Sequence, residues 1–436
     1  MLAYHIRIAW KSLKRNPILS ALIVLGIALG IGVSTTFVTG HHIMSRDPIP
    51  QKSSVLYYVE MDNWDPEKGW SDEDPKAAPN QVTHRDATAV MKSTVPTYQS
   101  AMFKSYLYVF PPPKLGRPYR GRVRLCFADF FPMFDVPFRY GAGWDRAADR
   151  TPDPVVVLSH ETNQKLFGGE NSLGKSVRIE RRDFKVVGVL EPWRPAPKFY
   201  DPHNGTYEEP DELFIPFNFV RPMEIRTGGN TSGWKDSGKT FEDQLQSENI
   251  WIQMWVQLDS ERQKQEYMQF LDNYVRGQQA LGRMQRPLNN KLLATMDWLD
   301  DQGAVPEEAT SFVVISLLFL LVCSLNLIGI LLGKFLARAP EIGVRRALGA
   351  SRMAIFMQHI VECELIAVIG GVLGVLLSIL GLEVLTRLFD GMLNFRLDWL
   401  MVAAAIGMAL LSGLVAGVYP AWRICSLAPA NYLKEQ

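Results

Sequence analysis

The chain has 436 residues, 47% of them hydrophobic, and its 46 Lys and Arg against 45 Asp and Glu leave a formal net charge of +1. Such a length allows two or three domains, and the even balance argues against a protein that binds nucleic acid through its overall charge. The average conceals unlike parts: apolar runs of spanning length begin near Ile18, Phe312, Ile355 and Leu400, and residues 41–306 form one polar block that holds most of the charges.

Residues 1–17 read as an amphipathic interfacial helix, with Leu2, Ile6, Trp10 and Leu13 on one side and His5, Arg7, Lys11, Lys14 and Arg15 largely on the other. Its apolar face would lie in the headgroup boundary with its cations against anionic lipid; a simple basic orientation signal is the alternative. Asn16-Pro17 breaks the helix before the first span, 18–40. The apolar stretch there exceeds a usual signal-peptide core and no small-residue cleavage site follows cleanly, so the span is expected to remain uncleaved.

The block 41–306 reads as mixed α and β. Pro154 to Leu158 is a short apolar strand; Ser159 caps a helix to Phe167, and Gly168-Gly169 ends it. Val177–Ile179 and Phe184–Leu190 read as a strand pair around Arg181-Arg182-Asp183, and Leu213–Pro216 as another strand. The proline- and acid-rich residues 191–211 and the segment Gly228–Gly238 read as loops. Ile250–Leu258 is a strand leading into a helix from Ser260 to Val275, and residues 280–306 lead back to the membrane. Of the four cysteines (Cys126, Cys323, Cys363, Cys425) only Cys126 falls in this block, so an ordinary apolar core must hold it.

A second span is expected over 307–336, a third over 355–386 and a fourth over 400–421, separated by a loop at 337–354 and a short one at 387–399 and followed by a tail at 422–436. Lys334, Arg338, Arg345, Arg346 and Arg352 face only Glu341 around the 337–354 loop, and the N-terminus holds Arg7, Lys11, Lys14 and Arg15 without an acid. The positive-inside rule then places both termini and the 337–354 loop in the cytoplasm and the large block outside. Small-xxx-small pairs stand at Gly26/Gly30, Gly370/Gly374 and Gly413/Gly417, which suits either packing within the subunit or a dimer seam. Glu362 and Glu364 near the start of the third span read as a polar contact toward the 337–354 loop rather than an ion relay.

Several chemical motifs fail on context. Gly169-Glu-Asn-Ser-Leu-Gly174-Lys175-Ser176 satisfies the P-loop string, but a helical stretch precedes it and a β-like run follows, the reverse of what phosphate binding needs. His41-His42, placed just past the first span, has no ligand partner at metal spacing. The acidic loop of Asp62, Asp65, Glu67, Asp72, Glu73 and Asp74 is interrupted by Pro and Trp and reads as solvated. No nucleophile elbow or zinc-protease motif occurs, so neither a catalytic nor a metal site is expected.

The most informative segment is Glu341-Ile-Gly-Val-Arg-Arg-Ala-Leu-Gly-Ala-Ser351, a short basic helix between two spans. Here the chain resembles the membrane subunit of MacB-type ABC transporters, the FtsX-like permease family. The run Val155-Val-Val-Leu-Ser-His, Leu166-Phe-Gly-Gly, Leu173-Gly-Lys-Ser-Val and Val186-Val-Gly-Val-Leu190 resembles that family's periplasmic core, and Asp211-Glu-Leu-Phe-Ile-Pro216 a later strand of it. Gly417-Val-Tyr-Pro420-Ala-Trp-Arg423, with Ala428-Pro429 and Leu433, is similar to its closing motif. The match is good over about 120–220 and weak over 50–118 and 221–300. Pro340, and Asn431-Tyr432, depart from the usual residues; proline nevertheless suits a first helical turn.

The resemblance implies an α+β membrane protein: four transmembrane helices, with a large mixed α/β periplasmic domain inserted between helices 1 and 2. It implies a bacterial inner-membrane subunit that binds no cofactor itself, with ATP and Mg on a cytoplasmic ABC ATPase dimer. Glu341, Gly343, Arg345, Arg346, Gly349, Ala350 and Ser351 would form the ATPase-coupling helix. A second permease copy or paralogue, a periplasmic adaptor and an outer-membrane duct are the other partners, and mechanotransmission to efflux the function. Lipoprotein extraction and regulation of a cell-wall hydrolase or sensor remain as alternatives.

Overall fold

The computed structural model describes residues 2–111, 117–151, 153–389, 393 and 395–426, with side chains from residue 7 onward. Asp390, Ala428, Pro429, Asn431, Tyr432 and Leu433 therefore lie outside the described residues, as do the side chains of Leu2, His5 and Ile6. The chain divides into two compact units, Met1–Arg46 with Val305–Gln436, and Asp47–Ala304.

The first unit is helical. A basic helix Leu2–Arg15 ends at Asn16, and Pro17 opens the first long apolar helix, Pro17–Met44; proline tolerates a first-turn position because its missing N–H would be unpaired there. The others are Glu307–Leu336, Arg352–Leu388 and Trp399–Ser426. With 28, 30, 37 and 28 residues, all exceed the ~20 residues that a bilayer core requires, and the third reaches about 55 Å at 1.5 Å per residue. Several elements run further than expected. His41 and His42 lie in the last turn of the first helix rather than past it, and the fourth continues beyond 421 through Pro420 to Ser426.

Apolar side chains from all four helices meet in one core, with Ile23, Ile27 and Ile31 facing Leu320 and Leu327, Ile366 and Ala367, and Ala405 and Ala409. The paired glycines make this approach possible. A Cβ on Gly370 would stand 2.7 Å from Ile27, one on Gly374 2.8 Å from Ile31, one on Gly30 2.9 Å from Leu320 and one on Gly417 2.7 Å from Cys363. Gly413 lies equally tight against Ala367, and Gly26 meets Leu327 at 3.4 Å. Each of the six thus faces another helix of the same chain, where close backbone approach yields dispersion energy.

Among the described residues the second unit is built on one sheet of eleven strands: β1 Leu56–Glu60, β2 Val82–Thr83, β3 Tyr98–Phe110, β4 Tyr119–Cys126, β5 Phe138–Gly141, β6 Val155–Leu158, β7 Ser176–Ile179, β8 Arg182–Leu190, β9 Leu213–Pro216, β10 Ile250–Gln257 and β11 Lys291–Ala294. Their order is β11-β1-β10-β3-β4-β9-β6-β8-β5, with β2 on β10 and β7 on β3 and β8. Pairing is antiparallel except for β4–β9 and β6–β8. Alternate side chains feed two cores. Tyr57, Val59, Ile252, Met254 and Val256 enter one, which the helix Glu261–Ala280 covers with Tyr267 and Leu271. Leu56, Tyr58, Met102 and Trp255 enter the other, under Phe130, Phe134, Tyr200 and Trp298. Because both faces are covered, β10 is buried at every position, and its sequence is apolar apart from Gln253 and Gln257 instead of alternating.

Two expectations need correction here. Residues 280–306 are more than a return segment, since they hold β11 and the helix Thr295–Asp301. The 191–211 segment is a loop, as expected, but a partly buried one: Lys198, Asp201 and Asp211 are buried around Arg124 of β4, which bonds Asp211 at 2.9 Å and Asp201 at 2.7 Å. Asp62 of the acidic loop is likewise buried, paired with Arg286 at 2.8 Å. The P-loop-like string lies between the helix His160–Phe167 and β7, with Lys175 3.7 Å from Glu170 and over the Phe167 ring. Its backbone thus runs helix–turn–strand, which points no helical amides at a phosphate.

Candidate functional site

Between the second and third apolar helices the chain folds into a short helix, Ala339–Ala347. Pro340 occupies its first turn and Glu341 stands there too, while Arg345 and Arg346 lie in the last turn, the arrangement the helix dipole favours. Gly349 ends it at φ +99°, a left-handed conformation that side chains resist, with Ala350 N–H donating to the Arg345 carbonyl at 3.0 Å. Ser351 then caps the third long helix by accepting from Ala354 N–H at 3.1 Å.

This helix is two-faced. Ala339, Ile342 and Gly343 are buried against the bundle, whereas Glu341, Val344, Arg345, Ala347, Leu348, Gly349, Ala350 and Ser351 are exposed, with Leu348 83% accessible. The two arginines expected to work together are separated. Arg345 stays on the outer face, 2.7 Å from Glu341 and 3.3 Å from Gln358. Arg346 turns inward and donates to the Cys425 carbonyl of the fourth helix at 3.3 Å.

Next to the helix lies a buried charged cluster. Glu362, 1% accessible, receives Lys334 Nζ at 2.8 Å, with Arg338 at 3.6 Å and His359 at 3.8 Å. Ser12 of the N-terminal helix donates to the same carboxylate and accepts from Arg338 at 2.5 Å. The cluster therefore joins the N-terminal helix, the end of the second span, Arg338 at the start of the short helix, and the third span. Arg15 adds a second, exposed tie to Glu341 at 3.3 Å. Glu362 lies about 15 Å along its helix at 1.5 Å per residue, close to one end of that 37-residue element, where burying a charge costs less than at a bilayer centre.

Glu362 was visible in the sequence as a charge at the edge of an apolar run. Its partners were less so: Lys334 and Arg338 read as generic orientation charges, and Ser12 carried no signal. The spacing of His359 and Glu362 on one helix face was the one available hint. Glu364 does not join the cluster; one of its oxygens lies near Gly413, on the side facing the fourth helix.

Four long apolar helices and a mixed α/β domain inserted between the first two define a multi-pass membrane protein. Residues 20–274 match the MacB-like periplasmic core domain and residues 313–429 the FtsX-like permease C-terminal domain. The chain belongs to the MacB-type, FtsX-like family of ABC transporter permeases. It is 24% identical over 442 residues to the pyoverdine export ATP-binding/permease protein PvdT of Pseudomonas aeruginosa, an alignment covering 99% of this chain and 58% of that protein. It is also 24% identical to the uncharacterized ABC transporter permease YvrN of Bacillus subtilis, with 99% of both chains aligned. The macrolide export ATP-binding/permease protein MacB of Acinetobacter baylyi is 26% identical over 71% of this chain and 41% of its own length. Among solved structures, the periplasmic region of MacB from Actinobacillus actinomycetemcomitans covers 57% of this chain and 92% of its own, at 14% identity and a TM-score of 0.35.

Proposed function

We propose that this chain is the permease subunit of an export system in which a separate cytoplasmic ATPase pair, holding ATP and Mg, drives motion of the 47–304 domain. The observation that carries this reading is the exposed helix Ala339–Ala347, rooted in the Glu362 cluster. Glu341, Val344, Arg345 and Leu348 form the docking face; Gly349, Ala350 and Ser351 keep its end low; Arg346 holds the helix to the fourth span. A push on this face is transmitted through Arg338 and Glu362 to the second and third helices and through Ser12 to the N-terminal helix. Both termini and this face are cytoplasmic in this reading, and residues 41–306 lie outside the membrane. Two copies of the permease, or one copy and a paralogue, would form the working dimer, with a periplasmic adaptor and an outer-membrane duct completing an efflux route. The export functions in the names of PvdT and MacB favour this over lipoprotein extraction or hydrolase regulation.

The test is co-purification of the ATPase and its turnover in lipid for Arg345→Glu with Leu348→Asp. Both residues are on the outer face, so the bundle should fold normally while the ATPase is lost or uncoupled, since removing one side of an interfacial charged pair costs about 2–5 kcal/mol. Retention of the ATPase with normal export would refute the assignment. For orientation, an impermeant thiol reagent on intact cells should label a cysteine placed at Gly229 and not one placed at Ser351.

A further inference from the structure

The 47–304 unit contains a cleft of about 750 Å³ that no part of the reading above uses. Its floor is the middle of β3, with Tyr106 and Leu107, and the buried Ile225; its rim is formed by Arg120 of β4, the β7–β8 turn and the segment after Val220. Five arginines stand on that rim, Arg120, Arg181, Arg182, Arg221 and Arg226, all exposed. They come from segments far apart in sequence, so their convergence is a product of the fold and not of a basic run.

Their charge is left largely uncompensated. Among the described residues Arg221 has a carboxylate partner, Glu242 at 3.0 Å, and the other four have none. Arg120 is held over the Tyr106 ring at 5.2 Å and Arg182 over Phe219 at 5.4 Å, contacts that orient a guanidinium without neutralising it. Among the described residues two acids, Glu180 and Glu224, line the cleft against the five cations. Glu180 already accepts from the Tyr108 N–H at 2.7 Å. Both Glu180 and Glu224 hold left-handed backbone, at φ +53° and +47°, a conformation a side-chain-bearing residue adopts only where its surroundings enforce it.

We infer that this cleft binds a small molecule or headgroup bearing two or more phosphate or carboxylate groups. Concave cationic surfaces concentrate anions, and planar guanidinium forks match phosphate and carboxylate oxygens two at a time. The volume lies in the range of small-ligand sites, and Tyr106, Leu107, Met223 and Ile225 offer a mixed aromatic and aliphatic floor for the body of such a ligand. The site is independent of ATPase docking, and failure of either assignment leaves the other standing.

The experiment uses the full chain in phosphatidylcholine nanodiscs and titrates tripolyphosphate, citrate and dihexanoyl phosphatidic acid by calorimetry. Saturable binding is expected for at least one probe, weakened at least tenfold by Arg181→Glu with Arg226→Glu and several-fold by the corresponding glutamine pair. The charge-matched control Arg139→Glu with Arg262→Glu, outside the cleft, should change it less than twofold. Binding of tripolyphosphate or citrate assigns the site to soluble anions, and binding of dihexanoyl phosphatidic acid alone assigns it to a lipid headgroup. Absence of binding by all three probes, or equal losses in the cleft and control variants, would overturn the proposal. Circular dichroism of each variant establishes that it is folded.

Discussion

Each unit of this protein buries a charged cluster, and the two are constructed differently. In the 47–304 domain, Arg124 and Lys198 face Asp201 and Asp211, two cations against two carboxylates, all nearly inaccessible. Burial opposes ionisation of Asp211, but Arg124 and Lys198 outweigh it and hold the carboxyl below the usual range. Tyr200 donates to Asp211 at 3.0 Å and Asn204 to Asp201 at 2.7 Å, so the acids are saturated. In the helical unit one carboxylate, Glu362, faces Lys334, Arg338 and His359, and the participants come from three helices and the end of a fourth. A balanced, saturated cluster fixes a loop onto a sheet. An unbalanced one, in which several donors share one carboxylate across separate helices, has bonds that could be redistributed if one of those helices moved.

The first way to break this comparison is Arg124→Met. It leaves two buried carboxylates without their main cation, and removal of one side of a buried ion pair costs about 3–5 kcal/mol. Chemical denaturation should show that loss in the transition of the 47–304 domain, and limited proteolysis should find the 191–211 segment newly cleavable. An unchanged midpoint would mean that the cluster contributes nothing to holding the loop.

In the helical unit, Glu362→Gln should cost less, about 1.5–3 kcal/mol, the range for hydrogen bonds to a charged partner, because the amide still accepts from Ser12 or Arg338. The sharper measurement is the cycle with Lys334→Met. If the donors share the carboxylate in this way, the double variant should be less damaged than the sum of the singles, with a coupling of about 0.5–3 kcal/mol, while ATP turnover becomes uncoupled from transport in each single. Strict additivity in thermal unfolding, with normal coupling, would reduce the cluster to a packing feature.

A smaller effect separates the units by pH. His84 is buried between Phe217 and Trp251; burial, helped by Arg221, keeps its imidazole neutral down to about 4. The unfolded chain binds that proton below about 6.5. His84 therefore contributes stability that is fully present above pH 6.5 and is lost as pH falls toward 4, about 1.4 kcal/mol by pH 5.5. The difference in unfolding free energy between the wild type and His84→Phe should shrink by this amount between pH 7 and 5.5. A constant difference would show that the imidazole titrates alike in the folded and unfolded chains, with no effect of burial on it.

Much of this architecture was legible because its signals are long or local. Four apolar runs, the Ser159 cap with Gly168, and the Pro340–Gly349 bounds of the short helix are each written in contiguous residues. β1, β3 and β4 were not recognised. β1 is buried throughout and β3 from Ser100 to Ser105, so these stretches lose the polar–apolar alternation that marks a half-exposed strand. β4 keeps it, with Arg120, Arg122 and Arg124 on alternate positions, but Arg122 and Arg124 turn to carboxylates from distant segments that no local pattern announces. The site was half legible for the same reason. Arg345 and Arg346 look equivalent as neighbours, yet a step of about 100° around a helix sends one to solvent and the other to Cys425. Ser12 and Glu362, 350 positions apart, share a bond that no local pattern could announce.

The smallest expected effect is the one that the sequence string overstates most. Lys175 completes a perfect P-loop pattern, and a functional reading would make Lys175→Ala abolish nucleotide handling. The fold gives it a different setting. The preceding element is the helix His160–Phe167, the following one is β7, and Gly174 turns the chain at φ +76° between them. The amides of the turn are engaged with the domain itself, Gly174 N–H donating to the Val186 carbonyl at 2.8 Å and Lys175 N–H to the Ser172 carbonyl at 3.0 Å. The ammonium is partly exposed, over Phe167 and 3.7 Å from Glu170, a surface pair of the kind that contributes about 0–1 kcal/mol. Lys175→Ala should therefore shift domain stability by no more than about 0.5 kcal/mol, and ATP turnover by the assembled transporter should be unchanged. A tenfold fall in turnover, with assembly and folding intact, would show that this turn touches nucleotide after all and that flanking structure is a poorer guide to phosphate sites than the string itself.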